Sequence, residues 1–240
     1  MKIPPVSKLA RWFEPYGLTH AQRLFLLPYF GVQSVLDPTK GHAVAGFNDA
    51  INASPFTGAL LRKLQASPEG RALLQAKPLY SSENLNVADL QGLPEGSMGR
   101  AYAKFMTSHA FSPDDRAKVR FTLDPELAYV SARYRQVHDF WHVLCGLPPT
   151  ILGEVSLKAF EAAHTGLPSA IVSASIGSLS LSSSADRKAY VNTYLPWAWS
   201  AGRSCACLLS FDYLGAMGDD VPAVQRRLRI TPAPSPPLAR

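Results

Sequence analysis

His138 and His142 stand four residues apart, and Glu154 follows with eleven residues between. On a helix, that first spacing puts two imidazoles one turn apart on the same face, where both can close on one metal ion. Asp139 adjoins the first histidine, within reach of a metal-bound water. Gly146, Pro148 and Pro149 fall between His142 and Glu154, residue types that end a helix and turn the chain. The pattern predicts an αα-hairpin: one helix ending near Gly146, a second starting near Thr150, and Glu154 in its first turn. Two histidines from one helix and a carboxylate from the next make a three-ligand site with open positions. Each residue also has a plainer reading. Asp139 points about 100° away from His138 on a helix and suits a surface charge, and Glu154 suits a helix N-terminus through the macrodipole. Glu161, two turns further on, is a second candidate for the carboxylate. Arg133, Tyr134 and Arg135, one turn before the histidines, suit an anchor for an anionic substrate or a structural role.

The elements that must position these residues are helical. Asp124-Pro125 opens the histidine helix, with Asp124 as N-cap and Pro125 in its favoured first position. Its apolar face runs through Leu127, Val130, Tyr134, Val137, Trp141 and Leu144, so His138 beside that stripe points partly inward. The return helix carries Leu152, Val155, Ala159, Phe160 and Ala163. Further helices are expected over 18–34, 41–52 and 55–77, briefly around 87–90, after Gly96-Ser97, and over 186–201 with a kink or restart at Pro196. A last helical piece should end near Ile230. Residues 162–185 carry no Asp, Glu, Lys or Arg, but their serines, Pro168 and modest hydrophobicity favour a buried helix over a membrane span. No run alternates long enough for a sheet, and there is no repeat, phosphate-binding glycine loop or GxSxG elbow. The expected fold is all-α: a single-domain helical bundle over 17–232, with the metal motif on an αα-hairpin. Residues 1–16 read as an N-terminal extension, basic and nearly free of acid like a short targeting segment, and 233–240 as a disordered tail.

Composition narrows the function classes. Of 240 residues, 47% are hydrophobic and 18% charged, with 24 basic and 18 acidic residues giving a formal charge of +6. That excess is too small and too dispersed for a nucleic-acid footprint, though it suits an anionic membrane surface or substrate. Cys145, Cys205 and Cys207 form no CxxC pair and no disulfide framework, which fits a reducing compartment. Cys145, three residues past His142, reads as a small core residue.

HDFWH followed by eleven residues and Glu resembles the HDxxH-x11-E signature of the coenzyme Q (ubiquinone) biosynthesis protein 4 family. LPEGSMGRAYAKF (93–105), the block 126–168 and LPWAWSAGR (195–203) resemble that family as well. The likeness covers about 17–232 and departs from the family at His42, where an acidic residue is usual, and at Phe47-Asn48-Asp49-Ala50. The resemblance implies an all-helical protein held peripherally on the matrix face of the mitochondrial inner membrane, in a multi-subunit complex with other ubiquinone-biosynthesis enzymes. It implies zinc at His138, Asp139, His142 and Glu154. It also implies removal of the C1 carboxylate from a polyprenylated 4-hydroxybenzoate, of the 4-hydroxy-3-methoxy-5-polyprenylbenzoate type, with Asp139 or a metal-bound water as proton donor. Two histidines and a carboxylate equally suit Fe2+, which coupled C1 hydroxylation would require. The rival readings are a non-catalytic scaffold presenting polyprenyl intermediates and, more distantly, a metal-dependent hydrolase.

Overall fold

The computed structural model describes residues 13–14, 26–29, 41–52 and 55–235. The expected turn at Asp37-Pro38, most of the expected 18–34 helix, and residues 1–12 and 236–240 lie outside this set; 26–29 are helical. The chain is all-α. In order come β1 (Phe13–Glu14), α1 (Gly41–Ile51), α2 (Phe56–Gln65), α3 (Pro68–Ala76), α4 (Val87–Gln91), α5 (Met98–Ser108), β2 (Val119–Arg120), α6 (Pro125–Cys145) and α7 (Ile151–Thr165). Then follow α8 (Pro168–Gly177), α9 (Ser184–Ala189), α10 (Leu195–Ser204) and α11 (Val221–Leu228). The two-residue strands pair in parallel, Phe13 opposite Val119, and are the only strands among the described residues.

Two compact units interleave in sequence. One holds the residues up to Leu79, Asp115–Gln136 and Leu167–Ser169; the other holds Tyr80–Asp114, Val137–Gly166 and the chain from Ala170. In the first, Arg135 is the polar hub. Its Nη1 donates to the carbonyls of Ala117 and Lys118, both at 2.9 Å, and its Nη2 pairs with Asp49 and the Ala45 carbonyl. Asn52 and Ser169 exchange two hydrogen bonds, Nδ2 to Oγ at 2.7 Å and Ser169 N–H to Oδ1 at 3.0 Å.

The second unit is built on aromatic rings. Phe140 stacks between Tyr102 (centroids 4.2 Å apart) and Tyr213 (4.7 Å), while Trp141 Nε1 donates to the Tyr213 hydroxyl at 2.8 Å. All four rings are fully buried, and this fixes the rotation of the helix between its two histidines. The end of the chain is tied in too: Gln225 donates to the Leu144 carbonyl, Trp197 to the Thr231 carbonyl, and the Ala233 N–H to Cys145.

Two expectations need correction. The span 55–77 is two helices, because Ser67 caps a new one at Pro68 by accepting from the Gly70 N–H. The uncharged run 162–185 is not one buried helix: Gly166 ends α7 at φ +71°, Pro168 starts α8, and Ile171, Ile176 and Leu179 are exposed. Among the described residues no helix is long and apolar enough to cross a membrane. The restart near Pro196 takes a specific form. Tyr190–Tyr194 widens into a π-turn that leads directly into α10, and the wider ladder accommodates a residue without an N–H.

Candidate metal centre

The hairpin forms as the spacing predicts. Asp124 Oδ1 accepts from the N–H groups of Glu126 and Leu127 at 2.8 and 3.3 Å, opening α6. At the other end Gly146 adopts φ +70° and α6 stops. Thr150 then caps α7 by accepting from the Gly153 N–H at 3.2 Å. Gly153 is required there, since a Cβ would lie 1.9 Å from the Pro148 carbonyl oxygen. The tight turn brings the first turn of α7 back over the last turns of α6, and Glu154 meets both histidines.

Glu154 Oε2 lies 3.5 Å from His138 Nε2, and Oε1 lies 3.1 Å from His142 Nε2. The two imidazoles stand edge to face, centroids 4.8 Å apart. His138, His142 and Glu154 each offer a ligand atom, and these atoms all lie within 4.8 Å of one another. Among the described residues no other group of this kind occurs.

The outer nitrogens are already engaged. His138 Nδ1 donates to Glu161 Oε1 at 2.6 Å, and His142 Nδ1 donates to the Leu147 carbonyl at 3.0 Å. Carbonyls and carboxylates only accept, so both protons sit on Nδ1 and both Nε2 lone pairs turn inward. The Phe105 ring covers His142, 5.2 Å between centroids.

This arrangement fits a metal ion on three counts. His142 Nε2 is buried and makes no hydrogen bond. Lone pairs aimed at a carboxylate repel it unless a cation sits between them. And bonds of about 2.1 Å at tetrahedral angles put neighbouring ligand atoms about 3.4 Å apart, which matches the 3.1 and 3.5 Å contacts found. In the metal-free chain these groups also act on one another's proton equilibria. Burial and Lys158 push the His138 imidazole down, but Glu161 and Glu154 outweigh them and hold it above its usual value. Burial would raise the Glu154 carboxyl, yet the two histidine rings beside it hold it well below the usual range.

Glu161 is fully buried and Lys158 half-buried. The Lys158 ammonium donates to Glu161 Oε2 at 2.7 Å and lies 3.4 Å from His138 Nδ1. Against the opposing effect of burial, Lys158 and then His138 lower the Glu161 carboxyl to about 2. Sequence reasoning kept Glu161 only as a substitute ligand and passed over Lys158. The signal was present: 154, 158 and 161 share one helix face at spacings of four and three.

Other candidates stand apart from this group. Asp139 is buried, 3% exposed, but is not among the three converging residues. One residue of helix carries it about 100° round from His138. Arg133 and Tyr134 are buried, and Arg135 is engaged with three carbonyls and Asp49. His164 uses both nitrogens, Nδ1 toward the Gly202 carbonyl and Cys205 Sγ and Nε2 accepting the Leu208 N–H. Cys145 is a core residue whose thiol burial pushes up well above its usual value.

Comparison with known proteins decides the lineage. The profile of the coenzyme Q (ubiquinone) biosynthesis protein Coq4 matches residues 14–234. The chain belongs to the Coq4 family. It is similar to the mitochondrial ubiquinone biosynthesis protein COQ4 homolog of Xenopus tropicalis, 38% identical over 89% of this chain and 75% of the relative. The Homo sapiens homolog is 42% identical over 72% of this chain and 64% of the relative. A crystal structure of a Nostoc punctiforme protein assigned to ubiquinone biosynthesis superposes with a TM-score of 0.69 at 25% identity, covering 88% of this chain and 97% of that one. Membership of the Coq4 family places the protein in ubiquinone biosynthesis.

Proposed function

We propose that this Coq4-family protein is a metal-dependent decarboxylase that removes the C1 carboxylate of a polyprenylated 4-hydroxybenzoate. The observation that carries this reading is the convergence of the two inward Nε2 atoms and the Glu154 carboxylate, three ligands among the described residues. His138, His142 and Glu154 would hold the ion, and Zn2+ and Fe2+ both suit the set. A bound divalent ion supplies Lewis-acid stabilisation of negative charge on a substrate oxygen, with positions left open for that oxygen.

The chain's own residues do the rest. Loss of CO2 from a 4-hydroxybenzoate is easiest after a proton adds to C1, when the ring is dienone-like. The C1–carboxylate bond then breaks, its electron pair restores the aromatic ring, and CO2 leaves. We assign Asp139 to proton delivery, since it stands beside His138 without belonging to the ligand group. Arg133, Tyr134 and Arg135 are not assigned to the substrate, because their burial and bonding suit a structural role.

The lipid tail and the site of action have support on the surface. Ile171, Ile176, Leu179, Val191, Leu195 and Trp199 are exposed. Val191, Leu195 and Trp199 recur every four residues along one helical face, and that face carries Arg187, Lys188 and Arg203 but no exposed acid. Such a surface suits peripheral contact with an anionic bilayer. We place the protein in the mitochondrion, as the naming of its relatives supports, and extend that to the matrix side of the inner membrane and to a complex with other enzymes of the pathway.

The test pairs metal analysis with turnover of a prenylated 4-hydroxybenzoate, for the native chain, His142→Ala and Asp139→Asn. One ion per chain and CO2 release, both lost in His142→Ala, support the enzyme and identify the ion. Asp139→Asn should keep metal and lipid binding and lose turnover; full activity there removes its assigned role. Metal without turnover in the native protein, with His142→Ala failing to assemble with partners, supports the scaffold instead.

A further inference from the structure

Each ligand histidine is fixed by one hydrogen bond, but the two bonds differ in kind. His142 is held by a neutral backbone carbonyl, that of Leu147. His138 is held by a fully buried carboxylate, Glu161, which makes the shortest contact at the site, 2.6 Å, and is itself gripped by Lys158.

We propose that Glu161 is the positioning residue of this centre: it fixes the Nδ1–H tautomer of His138, aims Nε2 at the ion, and supplies negative charge that raises the ligand's donor strength. Lys158 holds that carboxylate in place. The inference rests on the reading of His138, His142 and Glu154 as a metal site. A carboxylate acting as a fourth ligand would turn an oxygen toward Glu154 and the Nε2 atoms. Glu161 instead spends one oxygen on the back of the His138 ring and the other on an ammonium, so it lies outside the group of converging ligand atoms. Removing a carboxylate behind a metal-bound histidine weakens metal binding by about 10- to 100-fold in comparable sites.

Spacing on α7 supplies the device. Glu154 meets the open side of His138, and Glu161, seven residues later on the same face, meets its back. Lys158 lies between them in sequence, so one helix face carries the ligand, the positioning carboxylate and the cation that balances it. His142 has no charged partner on Nδ1, and the two ligands are therefore unequal: His138 is the stronger donor, and its orientation depends on a side chain that mutation can remove.

The experiment uses the whole chain with metal alone as probe. Zn2+ and Fe2+ affinities are measured by chelator competition for the native protein, Glu161→Gln and Glu161→Ala, with nitrogen NMR of the histidine rings in the metal-free state at a pH where both imidazoles are neutral. Native His138 should show the Nδ1–H tautomer. Glu161→Gln keeps an acceptor of the same shape but no charge, and should keep that tautomer while binding metal about 10-fold more weakly. Glu161→Ala should leave His138 as a tautomer mixture, His142 unchanged, and affinity down by up to about 100-fold. A merely structural role would not single out one ring's tautomer. Native His138 carrying its proton on Nε2, or Glu161→Gln binding with native affinity, overturns the proposal, and the first measurement needs no variant to fold. Failure of the native chain to bind either metal defeats the metal-site reading, while the His138 tautomer still reports on Glu161.

Discussion

Two buried polar clusters draw on the same helix and have opposite characters. Around Arg135, in the first half of α6, every charge is answered: Nη1 reaches two carbonyls, and Nη2 reaches a third together with Asp49, which also accepts the Arg120 N–H at 2.7 Å. Around His138 and His142, in the second half, the outer nitrogens are satisfied, and His142 Nε2 is buried without a hydrogen bond. Both clusters look alike in the sequence, as charged and aromatic residues near an apolar stripe. What separates a structural cluster from a functional one is the bonding capacity left over after the fold has taken its share. The Arg135 cluster has spent its charges within the fold. The histidine cluster has two lone pairs and a carboxylate aimed at one point.

The comparison predicts opposite phenotypes. Glu154→Gln should lower metal affinity by about 1000-fold, roughly one ligand's part of a structural zinc site's binding energy. The melting temperature of the metal-free protein should fall far less than in a variant of the Arg135 cluster, because the Glu154 side chain is 39% exposed and water screens its contacts with the histidines. Chelator competition and calorimetry on the same samples read both. A variant that loses stability and keeps its metal would erase the distinction.

Arg135→Ala should do the reverse. It leaves the Asp49 carboxylate buried with its partner gone, and breaking such a pair costs about 3–5 kcal/mol. Urea denaturation should show that loss, while the folded fraction should still bind one metal ion per chain. Loss of metal in the folded fraction would mean that the Arg135 cluster also supports the site.

The third prediction concerns the layer that belongs to both categories. Glu161 titrates at about 2 in the folded chain against an ordinary 4.5. A carboxyl lowered by folding contributes stability that is complete above the unfolded value and is lost as pH falls toward the folded one. The metal-free protein should therefore lose up to about 3 kcal/mol between pH 5 and pH 2 on account of this group. Glu161→Gln should flatten that part of the profile. If the two profiles run parallel below pH 5, the carboxyl is not held by Lys158 and His138 as described.

The fold was legible where the sequence carried strong local punctuation. Asp124-Pro125, Gly146 and Thr150 mark the hairpin because capping and turning are decided within a few residues, and the histidine and Glu154 spacing followed from them. The uncharged run 162–185 reads as one buried helix by its composition, but Gly166 and Pro168 break it, and the exposure of Ile171 and Leu179 follows from packing that no local pattern encodes. The resemblance implies Asp139 among the ligands; in the structure His138, His142 and Glu154 converge, and Asp139 follows His138 by one residue on the helix. Lys158 was missed since a lysine beside two glutamates ordinarily reads as a solvated pair. Only the fold shows that Glu161 is buried and that its other oxygen holds His138.

The smallest effect expected is also the most local. Thr150 Oγ1 caps α7 through the Gly153 N–H, one residue before Glu154. Thr150→Ala removes that bond at a cost of about 1 kcal/mol, measurable as a small drop in melting temperature. The first turn of α7 is also the element that carries the carboxylate ligand, so fraying there should show a second time, as a few-fold weaker metal affinity. Lys158 and Glu161 lie about two and three turns from that end, where the helix is held by its own ladder, so the Nδ1–H tautomer of His138 should stay as in the native chain. A cap mutant that lowers stability but leaves metal affinity untouched would show that Glu154 is held by its contacts with the histidines rather than by the helix beneath it. The two halves of the hairpin would then owe their register to the site itself.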